Sequence, residues 1–409
     1  MTVSLKQQVQ NYIGDIADEL SEISHSLHDH PELAFQEHRS MALLADAAER
    51  HGFQVQRGVA GLDTAFIARS INGAEHPAIA ILAEYDALPG LGHACGHNVI
   101  ATSALGAALA LQSVREQLPG VIELIGTPAE EKGGGKAIMV ERGVFDDLDA
   151  AMMIHPGNKN MVDKGSIASN AMVFEFFGKA AHAAAAPDQG INALDACIQT
   201  FNCINALRQH LPPDVRIHGI ITHGGEASNI VPAYARAEFG VRAATSDVSL
   251  DVVEKVKRCA KAGALAAGAT VKIQHLRHYA HRLPNPTIAK LFADNLRLLG
   301  QPVARPAANE RRGSSDMGNV SHVIPAIHPY IAMVPEDVGA HTPRFALAAG
   351  GEAGDRAWRI GAQALAMTAV DLFLNPESLT QAKAELAAMT NPNARWRRMR
   401  FFDEMNEGA

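Results

Sequence analysis

The sequence predicts an α/β protein: a mostly parallel sheet flanked by helices, interrupted by an inserted α+β unit. Three observations carry that class. Short apolar runs alternate with helical segments up to about Gly165, the pattern of a sheet covered on both faces. Between Met172 and Tyr279 the order becomes β-α-β-β-α-β, the split arrangement of a ferredoxin-like domain. Alternation resumes near Pro284. The expected limits are 1–168 and 283–409 for the two parts of the main domain and 169–282 for the insert.

Residues 4–51 carry Val9, Ile13, Ile16, Leu20, Ile23 and Leu27 at spacings of three and four, which predicts two amphipathic helices joined near His30-Pro31-Glu32. AIAILA (78–83), VIELIG (121–126) and AAMMI (150–154) predict strands, with helices over 98–113 and 135–142. The uncharged stretch Asn98 to Val114, rich in Ala, Gly, Ser and Thr, predicts a buried helix and not a membrane span. The insert reads as strand 172–178, helix 190–210, strands 215–222 and 234–243, helix 249–268 and strand 270–279. Helix 286–299, strand PYIAMV (329–334) and one long helix over 346–373 complete the chain.

Composition narrows the function classes. The 409 residues hold 36 Lys plus Arg against 44 Asp plus Glu, a net charge of −8 without long blocks, which argues against a general nucleic-acid binder. Hydrophobic residues make up 47%, as in a folded globular chain and not a disordered one. Four cysteines, at 95, 197, 203 and 259, form no C-x-x-C pair, and this predicts free thiols in a reducing compartment. The opening MTVSLKQQVQNYIGDIADEL lacks the apolar core of a secretory signal, so a cytoplasmic location with no membrane partner is expected. The basic, aromatic tail Arg395-Trp396-Arg397-Arg398-Met399-Arg400 is expected to pack on its own chain or on a second copy.

In an open parallel sheet, functional groups collect beyond the carboxyl ends of the strands. AIAILA runs into Glu84-Tyr85-Asp86 and then Cys95-Gly96-His97; VIELIG runs into Glu130-Glu131; AAMMI runs into His155; PYIAMV reaches His341 shortly after. Thiolate, imidazole and carboxylate together suit zinc or a neighbouring first-row metal. Five or six such groups exceed the needs of one tetrahedral ion and predict a pair. Adjacent glutamates on a turn allow one to bind metal while the other moves protons. G-x-x-x-x-G-K-[ST], H-E-x-x-H and G-x-S-x-G are absent, which argues against a phosphate loop, a mononuclear protease and a serine hydrolase. Ser314 and Ser315, ahead of Asp316 and Met317, fit a helix N-cap.

ILAEYDALPGLGHACGHN, GTPAEEKGGGK, MMIHPG, GKAAHAAAAPDQGINALDA, GIITHGGEASNIVP and GSSDMGNVS resemble the aminoacylase and carboxypeptidase family of dinuclear metallohydrolases, in its amidohydrolase subfamily. EYDALPGLGHACGHN and GSSDMGNVS are most similar to the β-alanyl-lysine dipeptidase branch, with aminobenzoyl-glutamate hydrolases close behind. The resemblance spans nearly the whole chain from His30-Pro31-Glu32-Leu33 onward. It implies a zinc-exopeptidase-like fold whose insert serves as lid and dimerisation domain. It implies two divalent ions, zinc first and manganese or cobalt as alternatives, held by Cys95, His97, Glu131, His155 and His341. Glu130 would be general base, Asp86 a group orienting a ligand, and His182 a histidine donated across a dimer to hold the carbonyl oxygen. Asn229 and Arg242 would hold the substrate's amide and carboxylate, with Ser315 and Asp316 also on the substrate side. His182 and Asn229 could equally shape turns, and Arg242 could be a solvated strand residue.

Two departures from the family pattern stand out. Glu84-Tyr85-Asp86 replaces the His-x-Asp of many relatives, and Asn98 replaces an acidic residue often found after C-G-H. The implied reaction is hydrolysis of the amide bond in a small N-acyl amino acid or dipeptide. An aminobenzoyl-glutamate or other aromatic acyl substrate is the alternative, and a non-catalytic metal- or peptide-binding protein is the rival of another class.

Overall fold

The computed structural model describes residues 2–162, 164–307, 310–391, 393, 394 and 396. Two compact units emerge: residues up to Gly165 together with Arg282–Asn391, and Ser166–His281 with the last described residues. Of the basic tail only Trp396 is described; it is buried, with its ring 5.8 Å from that of His278. Arg395 and Arg397-Arg398-Met399-Arg400 lie outside the described residues.

The first unit opens with α1 (Thr2–Asp15), α2 (Ala17–Asp29) and α3 (His38–Arg50). The first expected helix is thus interrupted at Ile16. There follow β1 (Gln54–Arg57), β2 (Phe66–Asn72), β3 (Ala78–Ala83), α4 (His97–Ser113), β4 (Gly120–Gly126), α5 (Gly135–Glu141), β5 (Ala150–Met152) and β6 (His155–Gly157). β3 and β4 are buried at every position, as a strand covered on both faces must be.

The second unit runs β7 (Ala168–Phe177), α6 (Ala193–Arg208), β8 (Arg216–His223), β9 (Tyr234–Ala243), α7 (Ser246–Ala267) and β10 (Thr270–Tyr279). Its strands lie in the order β10-β7-β9-β8, each neighbour antiparallel, which is the ferredoxin-like order. Phe174, Phe176, Phe239 and Val253 sit in its core under α6 and α7.

The first unit resumes with α8 (Pro286–Leu298), α9 (Met317–Ser321), β11 (Ala326–Ile327), β12 (Tyr330–Ala332), α10 (Pro343–Ala349), α11 (Glu352–Leu374) and α12 (Pro376–Met389). Its sheet has the order β1-β2-β4-β3-β5-β11. β4, β3, β5 and β11 are parallel, and β1 and β2 add an antiparallel edge.

Two expectations are corrected here. The run PYIAMV does not join the main sheet: β12 pairs with β6 in a separate two-stranded ribbon, with Tyr330 opposite His155. The expected helix 346–373 is two helices. Thr342 Oγ1 accepts the Phe345 N–H to start α10, and Gly350-Gly351 ends it, where a Cβ on Gly350 would lie 2.4 Å from the His28 ring.

α4 is buried along its first fifteen residues and lies against α11 and α2. Its small residues follow from that closeness: a Cβ on Gly106 would sit 2.9 Å from Leu20 Cδ1 and 3.2 Å from Ala362 Cβ. Gly106→Leu should therefore overpack this junction and cost about 1–3 kcal/mol. A lowered denaturant midpoint at unchanged slope is the expected reading.

Candidate metal centre

The site begins where β3 ends. Glu84, Tyr85 and Asp86 leave the strand buried. The chain then returns through Gly96, which has φ +77 and leaves no room for a Cβ, since one would lie 2.5 Å from Pro156 Cγ. This turn delivers Cys95 beside His97 at the start of α4. The turn after β4 delivers Glu130 and Glu131, β6 carries His155, and His341 sits at φ +64 with its N–H on the Ala94 carbonyl at 2.8 Å. A positive φ is rare for histidine, and here it aims the imidazole at Glu131, with Nε2 3.3 Å from Oε1.

Among the described residues three overlapping groups place ligand atoms within 4.8 Å of one another: Cys95 with His97 and His155, Cys95 with Glu131 and His341, and His97 with Glu130 and Glu131. All five expected metal ligands are thus brought together. Asp86 ties them: Oδ1 takes the His97 Nδ1 hydrogen at 3.0 Å, and Oδ2 accepts the Glu131 N–H at 3.0 Å. Asp86 therefore fixes the His97 ring with Nε2 turned into the cluster. His155 is set likewise, with Nδ1 2.7 Å from the Pro156 carbonyl and Nε2 3.4 Å from Cys95 Sγ.

Charge follows the same geometry. Burial holds His155 down to about 4, so it stays neutral, the form that binds metals. Burial opposes a charge on His97, yet Asp86 lifts it well above the ordinary histidine range. Glu131 feels the upward push of burial, but the His341 hydrogen bond and the nearby His97 bring it down to about 2. Glu130, partly exposed, is raised well above the usual carboxylate range by burial and by Glu84, Asp316 and Glu131. The two adjacent glutamates are pushed in opposite directions.

Sequence reasoning missed Lys136. Its ammonium is fully buried, 2.6 Å from Glu84 Oε1 and 2.7 Å from Asp316 Oδ1. Against the cost of burial, Asp316, Glu84 and Glu130 keep it charged. The sequence signal was faint: a lysine opening the apolar run Ala137-Ile138-Met139-Val140. Glu84 thus joins an ion pair while its Oε2 lies 3.5 Å from His97 Nε2. Asp316, expected on the substrate side, is fully buried, with Oδ1 on Lys136 Nζ and Oδ2 accepting the Lys136 N–H. Ser315 is buried as well, and its Oγ accepts the Met317 N–H, so it serves the start of α9. Asn98 faces the core, donating to the Ala349 carbonyl and to Ser24 Oγ.

In the second unit His182 and Asn229 are neighbours. Ala183 N–H donates to the Asn229 carbonyl at 3.0 Å, and His182 bridges to Ile230. His182 Nδ1 accepts the N–H groups of Ala184 and Ala185, which leaves its proton on Nε2, and the residue is exposed. Arg242 lies on β9, half-buried, opposite Ser169 and Arg216.

Residues 80–366 match the family described as peptidase family M20/M25/M40. The chain belongs to this family. It is 38% identical to the Xaa-Arg dipeptidase of Mus musculus over 396 residues, covering 93% of this chain and 92% of that one. It is 35% identical to a component of the p-aminobenzoyl-glutamate hydrolase of Escherichia coli (strain K12) over 321 residues, covering 72% and 66%. An aminobenzoyl-glutamate utilization protein from Klebsiella pneumoniae superposes with TM-score 0.73 at 22% identity, over 90% of this chain and 99% of that one. A dinuclear metal-binding peptidase of the M20 family from Bacillus subtilis superposes with TM-score 0.66 at 22% identity, over 88% and 99%. The protein is accordingly an M20 hydrolase of peptide or amide bonds.

The side chains present fit the metals of an M20 peptidase. Thiol, imidazole and carboxylate donors crowd together, and the buried His97 Nε2 makes no hydrogen bond; a cation satisfies such a set where hydrogen bonds do not. Behind this centre Lys136 is the cation that Glu84 and Asp316 share. Lys136→Met should strand both buried carboxylates and cost about 3–5 kcal/mol. Adding Glu84→Gln and Asp316→Asn should recover much of the unfolding free energy, measured in denaturant.

Proposed function

We propose that the protein hydrolyses the amide bond of a small N-acyl amino acid or dipeptide, of the β-alanyl type or a relative of it, with Glu130 as proton carrier. The observation that carries this reading is the Glu130-Glu131 pair: Glu131 is pulled into the cluster by His341 and His97, while Glu130 beside it is held high by burial and by Glu84 and Asp316. A carboxylate raised in this way holds a proton more readily than an ordinary one and can hand it on.

Cys95, His97, Glu131, His155 and His341 would hold two divalent cations, zinc or else manganese or cobalt, and such cations supply an acidified water at neutral pH. Glu130 accepts the proton of the water that attacks the carbonyl carbon. It returns that proton to the nitrogen as the C–N bond breaks. Asp86 holds His97 and the Glu131 backbone in register throughout. The exposed His182 Nε2–H, contributed by a second copy of the chain, donates to the carbonyl oxygen as charge builds there. Arg242 binds the substrate's free carboxylate in a bidentate pair, and Asn229 the amide.

A homodimer through residues 169–282 agrees with β8, an edge strand whose Ile220 and Ile221 are 62% and 40% exposed, since apolar edges invite pairing. The four free cysteines suit a reducing, cytoplasmic setting, and among the described residues no helix is long and apolar enough to cross a membrane. The named activity of the bacterial aminobenzoyl-glutamate hydrolase sets the aroyl arm of the substrate test, and the resemblance to β-alanyl-lysine dipeptidases sets the other.

Protein stripped of metal and reloaded with zinc, manganese or cobalt should release amine from β-alanyl dipeptides ahead of N-aroyl amino acids. Dominant turnover of the aroyl compounds would move the assignment to the second arm. Glu130→Ala should keep its metal and lose about 10²–10⁴-fold in kcat. Near-normal turnover by the metal-loaded variant would remove Glu130 from the mechanism.

A further inference from the structure

The segment between α2 and α3 reaches both loops that carry the candidate ligands. The Ala87 N–H, next to Asp86, donates to the Glu32 carbonyl at 2.8 Å, and Leu33 bridges to Ala87. Phe35, at φ +62, lays its ring on the Glu130-Glu131 turn so closely that a Cβ on Gly133 would lie 2.3 Å from Phe35 Cε2. Glu32 itself is used locally, its carboxylate accepting the N–H groups of Arg39 and Ser40 at the start of α3. Glu37 is not. It is fully buried, and its Oε1 accepts the Ala129 N–H at 2.9 Å, while Oε2 accepts the Thr64 hydroxyl at 2.9 Å.

Ala129 is the residue that this contact explains. It immediately precedes Glu130, is fully buried, and has φ +60, a left-handed conformation that an L side chain adopts only when its surroundings enforce it. Its carbonyl is tied to the Gly134 N–H at 2.7 Å, closing the turn from the other side. The Glu37 carboxylate thus fixes the Pro128–Ala129 peptide, immediately ahead of the two glutamates.

We propose that Glu37 is a positioning residue of the hydrolytic site, holding Ala129 in its left-handed conformation and thereby setting where Glu130 and Glu131 stand. The inference rests on the proposed amide-hydrolase function, although its central contact does not. Burial and then Asp86 raise Glu37 to about 7, so near neutrality it is divided between carboxyl and carboxylate. Glutamine has the shape of the neutral form, and its oxygen can still accept the Ala129 N–H.

Glu37→Ala should therefore lower kcat by about 10²-fold, the cost of a roughly 1 Å misplacement, with KM changed less than about threefold. It should also weaken zinc binding about 10–100-fold, as loss of a ligand-orienting group does. Glu37→Gln should restore most of both. Hydrogen exchange over residues 127–135 of the unmodified protein should show the Ala129 amide strongly protected, a reading available even if Glu37→Ala does not fold. Wild-type kcat and zinc affinity in a folded Glu37→Ala protein, or a rapidly exchanging Ala129 amide, would overturn the assignment. Absence of metal-dependent turnover in the unmodified protein would instead remove the amide-hydrolase reading and leave the exchange and zinc measurements to decide the role of Glu37.

Discussion

The site depends on one buried carboxylate with both oxygens committed. Asp86 stands at the end of β3, takes the His97 Nδ1 hydrogen on one side and accepts the Glu131 N–H on the other. A buried carboxylate must satisfy its oxygens, and these two partners come from different loops of the sheet. Burial alone would raise Asp86, but His97 brings it below the ordinary aspartate range. Orientation of the imidazole and placement of the glutamate turn are thus one constraint and not two.

Around that constraint the site accumulates negative charge. Glu84, Asp86, Glu130, Glu131 and Asp316 crowd about His97 and Lys136, and each feels at least one other. A single buried ammonium offsets part of this. Burying like charges is costly unless cations accompany them, so the arrangement is that of a cation-binding centre, in keeping with a family that includes a dinuclear metal-binding peptidase. The divergent fates of Glu130 and Glu131 follow from position: His341 and His97 dominate at Glu131, whereas at Glu130 the carboxylates Glu84, Asp316 and Glu131 outweigh Lys136.

Much of this was legible in the sequence. β3, β9 and β10 have the limits expected from their apolar runs, because a strand buried on one or both faces writes its burial into every residue or every second one. β1 and β2 escaped notice, since QVQR and FIARSIN mix polar and apolar residues on an edge. The two residues of β11 are too few to show any period. PYIAMV was apolar enough for the main sheet, but pairing partners are a tertiary matter. The candidate ligands were visible as residue types collected at strand ends. Lys136, Glu37 and the pairing of Asp316 with Lys136 were not, since their partners lie far along the chain: 180 positions separate Lys136 from Asp316, and 92 separate Glu37 from Ala129.

The central claim is that Asp86 organises a centre for two cations, and a zinc titration of the metal-free protein tests it most directly. The account predicts two ions bound per chain, with Asp86→Asn weakening zinc affinity by about 10–100-fold because the imidazole and the glutamate turn lose their common anchor. Binding of fewer than two ions by the unmodified protein, or an unchanged affinity in a folded Asp86→Asn variant, would contradict it.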